Sequence, residues 1–246
     1  MGTRQKRLTL ERRVASRWPD WTADEVGRAI RAGEILVAGR SLVNPLAQVD
    51  VDAAIRHVPP EPLAGHRKLA WALQRFGVDA DGRRVVDVGA STGGFTRAWL
   101  EAGAVHVDAV DVGHGQLLGA LRLDPRVTTW ERTNVADLSP ALIPGVVDRI
   151  SVDVSYLSLS SAVGQSGLLR YAPDAELLGL IKPMFELRLP TIPTDRAVLE
   201  EARDAAVAGV REAGWAVADV DECPVHGARG AVEFFVHAVR GAPPRP

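Results

Sequence analysis

The run Arg84-Val-Val-Asp-Val-Gly-Ala-Ser-Thr-Gly-Gly-Phe-Thr-Arg-Ala-Trp-Leu-Glu-Ala102 reads as a short apolar strand, a loop of small residues and a helix, in that order. Asp87 stands at the strand's end, and small residues occupy the loop positions where backbone must come close to a ligand. The glycine spacing is G-x-x-x-G-G, not the G-x-G-x-x-G of dinucleotide sites, so a pyrophosphate on the helix N-terminus is not the preferred reading. The loop fits the form D-x-G-x-[GS]-x-G through Asp87, Gly89, Ser91 and Gly93, which predicts a nucleotide-like cofactor. A second acid, Asp111, closes the next apolar stretch, where a carboxylate can accept hydrogen bonds from both hydroxyls of a cofactor ribose.

Outward from this junction the pattern alternates. A helix is expected at 67–76 before the quoted strand (84–88) and its helix, Phe95 to Ala102. Further strands are expected near 106–111, 127–130, 147–153 and 176–181, with helical stretches at 115–123, 159–171 and 194–213. Such alternation predicts an α/β fold with a mostly parallel sheet wound on both faces. The last two strands, Trp215–Val220 and Val232–Val239, are joined by a Pro/Gly loop with no room for a crossover helix, so they should form an antiparallel hairpin.

The chain has 246 residues, 46% of them hydrophobic and 24% charged, a globular profile large enough for one ordinary α/β domain and a small appendage. A single cysteine, Cys223, excludes an internal disulfide framework and any multi-cysteine metal site. The six histidines show no metal-ligand spacing, so no metal is expected. No long apolar run or hydrophobic leader is present, which points to a cytoplasmic protein without membrane contact.

The net charge of −2 conceals an asymmetry, because residues 1–40 hold nine Arg and Lys against five acids. A basic end favours phosphate, although a solvated arginine-rich helix face explains the charge equally well. Within this end a helix is expected over 8–16, then a second helix that starts at the capping box Thr22-Ala-Asp-Glu25. A hairpin of Ile35–Ala38 with Gln48–Val51 should follow, and Val58-Pro-Pro-Glu-Pro62 stiffens the chain into a connector.

Taken together, Asp87–Thr96, Ala109-Val-Asp-Val-Gly113, Gln116-Leu117, Thr133-Asn134, Asp153-Val-Ser-Tyr-Leu-Ser-Leu159, Leu180-Ile-Lys-Pro183 and Phe185-Glu186 resemble the TlyA family over most of the chain. The resemblance implies a Rossmann-like, FtsJ-like methyltransferase domain using S-adenosylmethionine over 65–246. It also implies a Pro-rich linker at 59–64 and a small S4-like α/β RNA-binding module over 1–58, where Ala32-Gly33-Glu-Ile-Leu-Val37 and Pro45-Leu-Ala-Gln-Val49 carry the likeness. The implied activity is 2′-O-methylation of cytidine in ribosomal RNA. Cofactor contacts are expected at Asp87, Gly89, Ala90, Ser91, Thr92, Gly93, Gly94, Phe95, Asp111, Val112, Gln116, Leu117, Asn134, Val135 and Asp153. RNA contacts are expected at Arg4, Lys6, Arg7, Arg12, Arg31 and Arg67.

Methyl transfer to a ribose hydroxyl is an in-line displacement that needs a group to orient and deprotonate a weak acid, and a lysine that becomes neutral suits it. The family's Lys-Asp-Lys-Glu set falls on Lys68, Asp153, Lys182 and Glu233. Lys182 ends an apolar run, an expensive place for a charge unless it leaves the sheet for a site. From the residues alone, Lys68 reads more plainly as a solvated helix position, and Glu233 reads equally well as a strand residue facing water. Tyr156 is a candidate for stacking on the target base, with packing as the equal alternative. Ala64-Gly-His-Arg-Lys68-Leu69, Asn134-Val-Ala136 and Gly230-Ala-Val-Glu233 depart from the family's Arg-Gly-Gly-x-Lys-Leu, Asn-x-Arg and Gly-Asn-x-Glu, all on the substrate side. One rival activity is O-methylation of a small molecule; a second, a membrane-acting haemolysin, is a name some family members carry, but the sequence argues against it, with neither a secretion signal nor a long amphipathic insertion segment.

Overall fold

The computed structural model describes residues 7–57 and 63–241. The chain divides into two compact units, Met1–Glu61 and Pro62–Pro246.

The first unit comprises β1 (Arg7–Thr9), α1 (Leu10–Arg17), α2 (Ala23–Arg31), β2 (Ile35–Val37), β3 (Arg40–Ser41), β4 (Gln48–Asp50) and β5 (Ile55–His57). The capping box forms: Thr22 Oγ1 accepts from the Glu25 backbone N–H, and Glu25 Oε2 accepts from the Thr22 N–H at 2.7 Å. Leu10 and Val14 of α1 pack with Val26, Ala29 and Ile30 of α2 and with Ile35, Val37 and Val49 to make a small apolar core.

Two expectations need correction here. Residues 8 and 9, expected to open the first helix, are extended instead, because Arg7–Thr9 pair antiparallel with β4, Leu8 opposite Val49. The hairpin of Ile35–Ala38 with Gln48–Val51 does not form either. Val37 pairs with Arg40 across Ala38 and Gly39, whose φ values of 48° and 80° suit a tight two-residue turn, so β2 takes β3 and β5 as neighbours and β4 is left to β1.

The second unit opens with α3 (Ala64–Phe76). There follow β6 (Arg84–Val88), α4 (Gly94–Glu101), β7 (His106–Asp111), α5 (Gly119–Arg122), β8 (Val127–Glu131), β9 (Val147–Val152), α6 (Leu159–Gln165) and β10 (Tyr171–Ile181). The unit closes with α7 (Pro183–Glu186), α8 (Arg196–Glu212), β11 (Trp215–Glu222) and β12 (Phe234–Arg240). Its seven strands run in the order β11-β12-β10-β9-β6-β7-β8, parallel except for β12, which is antiparallel to both its neighbours. This is the expected mostly parallel sheet with its terminal antiparallel hairpin. Alternation along the strands sends Val86, Val88, Ile150 and Leu177 to one face beneath α6 and α8, and Val85, Val107, Leu178 and Leu180 to the other beneath α3 and α4.

Helices are shorter than the periodicity suggests at two places. Of 115–123 only Gly119–Arg122 is helical. The 159–171 helix stops at Gln165, passes through a 3-10 turn at Ser166–Leu168, and gives way to a strand that begins at Tyr171. Pro173 lies where β10 shifts register against β9, between Tyr171 and Glu176, which concealed the strand's first half.

Strand order reverses between β6 and β9, so their carboxyl ends splay and leave the crevice where doubly wound sheets bind ligands. Gly89 sits at that point with φ +86°. A Cβ there would stand 2.1 Å from the Asp153 carbonyl oxygen, so this backbone approach admits glycine alone.

Candidate active site

The loop after β6 and the end of β7 are tied together by one carboxylate. Asp111 Oδ2 accepts from the Ser91 N–H at 2.8 Å and Oδ1 from the Gly113 N–H at 2.6 Å, while Ser91 Oγ donates to Gln116 Oε1 at 3.2 Å. Between these groups and the end of β9 lies a cleft. Of the sequence-predicted cofactor residues, Gly89, Ser91, Asp111, Val112, Gln116, Val135 and Asp153 line it.

The others take different positions. Asp87 is sealed beneath the loop, fully buried, its two oxygens accepting from Thr96 Oγ1 (2.7 Å) and Ser151 Oγ (2.8 Å). Burial pushes its carboxyl up to about 6, against those two hydrogen bonds. Ala90 and Leu117 face a narrow gap beside the cleft. The Thr92 carbonyl accepts from the Leu118 N–H, Gly93 caps α4, and Gly94 and Phe95 start that helix in the core, where Phe95 stacks on Phe235. Asn134 caps a 3-10 turn, its Oδ1 accepting from the Ala136 N–H at 3.0 Å.

Thr133, Val154, Ser155 and Tyr156 also line the cleft, although sequence reasoning did not place them among the cofactor contacts. Their signal is local, because each falls in a run that carries the family resemblance. Tyr156 stands in this first cleft, where burial and the nearby Asp111 charge raise its phenol. Among the described residues no group of three or more His, Cys, Asp or Glu could hold a metal.

Beside the cleft is a second cavity of about 490 Å³, lined by Lys68, Lys182 and Glu233 and walled by Pro190–Pro193, Phe185, Ala228, Arg229, Ala231 and Val232. It shares Ser155 with the first. The four expected reacting groups form two ion pairs here. Lys68 on α3 donates to Glu233 Oε2 at 2.5 Å, both side chains under a tenth exposed. Lys182, immediately after β10, places Nζ 2.5 Å from Asp153 Oδ1 and donates to Ser155 Oγ at 3.0 Å. Neither Lys68 nor Glu233 faces water as its local sequence allowed; each is buried against the other.

Glu233 is fixed from behind, since its carbonyl accepts from the Cys223 N–H at 2.8 Å and its carboxylate fills the space a Gly227 side chain would need. Glu186 lies outside this set. It accepts from the Leu159 N–H and Ser160 Oγ, joining α7 to the start of α6.

Residues 65–240 match the FtsJ-like methyltransferase family. A Mycobacterium tuberculosis protein, the 16S/23S rRNA (cytidine-2′-O)-methyltransferase TlyA, is 35% identical over 94% of this chain and 89% of its own length. The chain belongs to the TlyA family of FtsJ-like methyltransferases. Hemolysin A of Brachyspira hyodysenteriae is 28% identical over 85% of this chain and 92% of its own. A solved structure from Streptococcus thermophilus, also carrying a hemolysin name, superposes with a TM-score of 0.69 at 27% identity, covering 96% of this chain and 90% of that one.

The departures from the TlyA pattern, expected together on the substrate side, do not gather at one cavity, and Ala136 follows Val135 of the first cleft. Ala231 is part of the second cavity's wall. His66 pairs with Glu101 at 2.7 Å, and Ala136 lies in the 3-10 turn that Asn134 caps. Of the expected RNA contacts, Arg7, Arg12 and Arg31 are exposed on the first unit and Arg67 is exposed on α3 beside Lys68; Arg4 and Lys6 lie outside the described residues. No helix among the described residues is long and apolar enough to cross a membrane.

Proposed function

We propose that the protein transfers a methyl group from S-adenosylmethionine to a ribose 2′-hydroxyl of RNA, with cytidine in ribosomal RNA as the target class. The observation that carries the reading is the Lys182–Asp153 pair, which stands where the two cavities meet at Ser155. The cleft suits the donor's chemistry. Asp111 keeps lone pairs for ribose hydroxyls beyond the two backbone N–H groups it accepts, and Val112 and Val135 offer apolar walls to an adenine.

S-adenosylmethionine supplies an activated methyl carbon on a sulfonium sulfur. This chain's own part is to hold a hydroxyl and take its proton. Asp153 and Ser155 fix Lys182 Nζ, and the amine, when neutral, accepts the hydroxyl proton as the oxygen attacks. Lys68, held by Glu233, adds a second amine to the substrate cavity, where it orients the same ribose. Asp87, out of reach of the cleft, supports the loop from below.

In this reading residues 1–58 capture RNA through the exposed Arg7, Arg12 and Arg31, joined through 59–64 to the methyltransferase domain 65–246, and the setting is the cytoplasm. Incubating the protein with methyl-labelled donor and ribosomal RNA tests it. Label should enter ribose with the wild type and be lost with Lys182→Ala. Label confined to small molecules, or a rate untouched by removing residues 1–58, would favour a small-molecule O-methyltransferase instead.

A further inference from the structure

The second cavity is lined by three cations, and they are not equivalent. Lys68 is bonded to Glu233 and Lys182 to Asp153, so both carry a carboxylate with them. Arg229 lines the same cavity, is exposed, and has no carboxylate or hydrogen-bond partner among the described residues.

Its backbone is unusual. Arg229 sits at φ 57°, ψ 27°, a left-handed conformation that residues with a side chain seldom adopt. The turn that imposes it is closed by Gly227 N–H donating to the Ala231 carbonyl at 2.8 Å and Gly230 N–H donating to the Gly227 carbonyl at 3.2 Å. The same turn wraps the Glu233 carboxylate at Gly227, so one short loop both seats Glu233 and places Arg229 in the lining of the same cavity.

We propose that Arg229 binds a backbone phosphate of the RNA next to the ribose being methylated, and thereby sets how the target nucleotide is registered in the cavity. This rests on the reading of the protein as an RNA ribose methyltransferase. A ribose 2′-hydroxyl lies beside its own nucleotide's 3′-phosphate, so a strand that presents the hydroxyl to Lys182 carries an anion into the same cavity. Lys68 and Lys182 already have carboxylates, which leaves Arg229 as the lining cation free to meet it. A planar guanidinium also suits a phosphate better than an ammonium does, because two N–H groups can bond two oxygens at once.

The test uses the full-length protein, ribosomal RNA and labelled donor, with Arg229→Asn and Arg229→Lys. Asparagine tolerates the left-handed turn, so the loop and Glu233 stay in place while the charge is removed. For Arg229→Asn the KM for RNA should rise roughly tenfold with kcat within about twofold. The slope of log affinity against log salt should fall by about 0.7–0.9, the signature of one lost phosphate contact. Arg229→Lys should recover much of the KM and the whole slope, and donor affinity should be the same in all three proteins.

A wild-type KM and salt slope in Arg229→Asn overturns the inference. So does a fall in kcat with both unchanged, which would mark a disturbed Glu233. Failure of the functional reading shows separately, as a wild type that puts no label into RNA at all.

Discussion

Lys68 and Glu233 lie 165 residues apart in the chain and 2.5 Å apart in the fold, both buried, one on the helix that precedes the sheet and the other at the threshold of its last strand. The pair closes the site across nearly the whole second unit, so it is both a structural clasp and a part of the reaction chamber. Removing one partner strands the other charge in a place with little water. Glu233→Gln should therefore lower stability by about 3 kcal/mol, read by denaturant unfolding. The double variant Lys68→Met with Glu233→Leu should recover most of that stability while methyl transfer stays abolished, separating the two roles.

Lys182 tests the chemistry more directly. Truncation to alanine removes the amine at the junction of the two cavities without touching the Asp111 side of the cleft. The expected result is a drop of about 10²–10⁴ in single-turnover rate with donor affinity preserved by calorimetry. Arginine should not rescue, because a guanidinium does not give up its proton in this range.

Asp111 tests the donor cleft. Its replacement by Asn removes the charge and leaves one acceptor where two backbone N–H groups now bind two. Donor affinity should weaken by about ten- to a hundredfold, as expected for one charge-assisted hydrogen bond, while RNA affinity measured without donor is unchanged.

Asp87 predicts a pH effect. Burial holds its proton up to about pH 6 in the folded protein, against a release near 3.8 in the unfolded chain. Between those values the folded state binds more protons, so this group's contribution is greatest at low pH and is lost as pH rises through 6. Asp87→Asn keeps an oxygen for Ser151 and an amide to donate to Thr96. It should flatten that part of the profile and gain on the order of 1–3 kcal/mol at neutral pH relative to wild type, measured by unfolding across pH 4–8.

Gly227 predicts a geometric effect. A methyl group there would stand 2.1 Å from Glu233 Oε1, so Gly227→Ala must push the carboxylate away from Lys68. Stability should fall by about 1–3 kcal/mol and kcat with it, with donor affinity intact.

Much of the donor side was legible because it is local. The strand, small-residue loop and helix of 84–102 occupy contiguous sequence, the acid of the next strand follows closely, and Thr22 with Glu25 form their capping box within one turn. Asp87 shows the limit of that reading: its place in the motif was plain, but its side chain turns under the loop to Thr96 and Ser151, and only the packing of β9 against β6 puts Ser151 there.

What the amino-acid order determined is the alternation of strands and helices and the glycine turn at the β6 end, and its resemblance to the TlyA family pointed to four candidate reacting residues. Tertiary structure decided how those four combine, Lys68 with Glu233 and Lys182 with Asp153, and made Ser155 the shared wall of two cavities. It also sent β4 to β1 and not to β2. The physical reason is range: backbone preferences and turn chemistry act over a few residues, whereas strand partners and buried charge pairs are chosen by which distant segments share a register and a desolvated space once the sheet has closed.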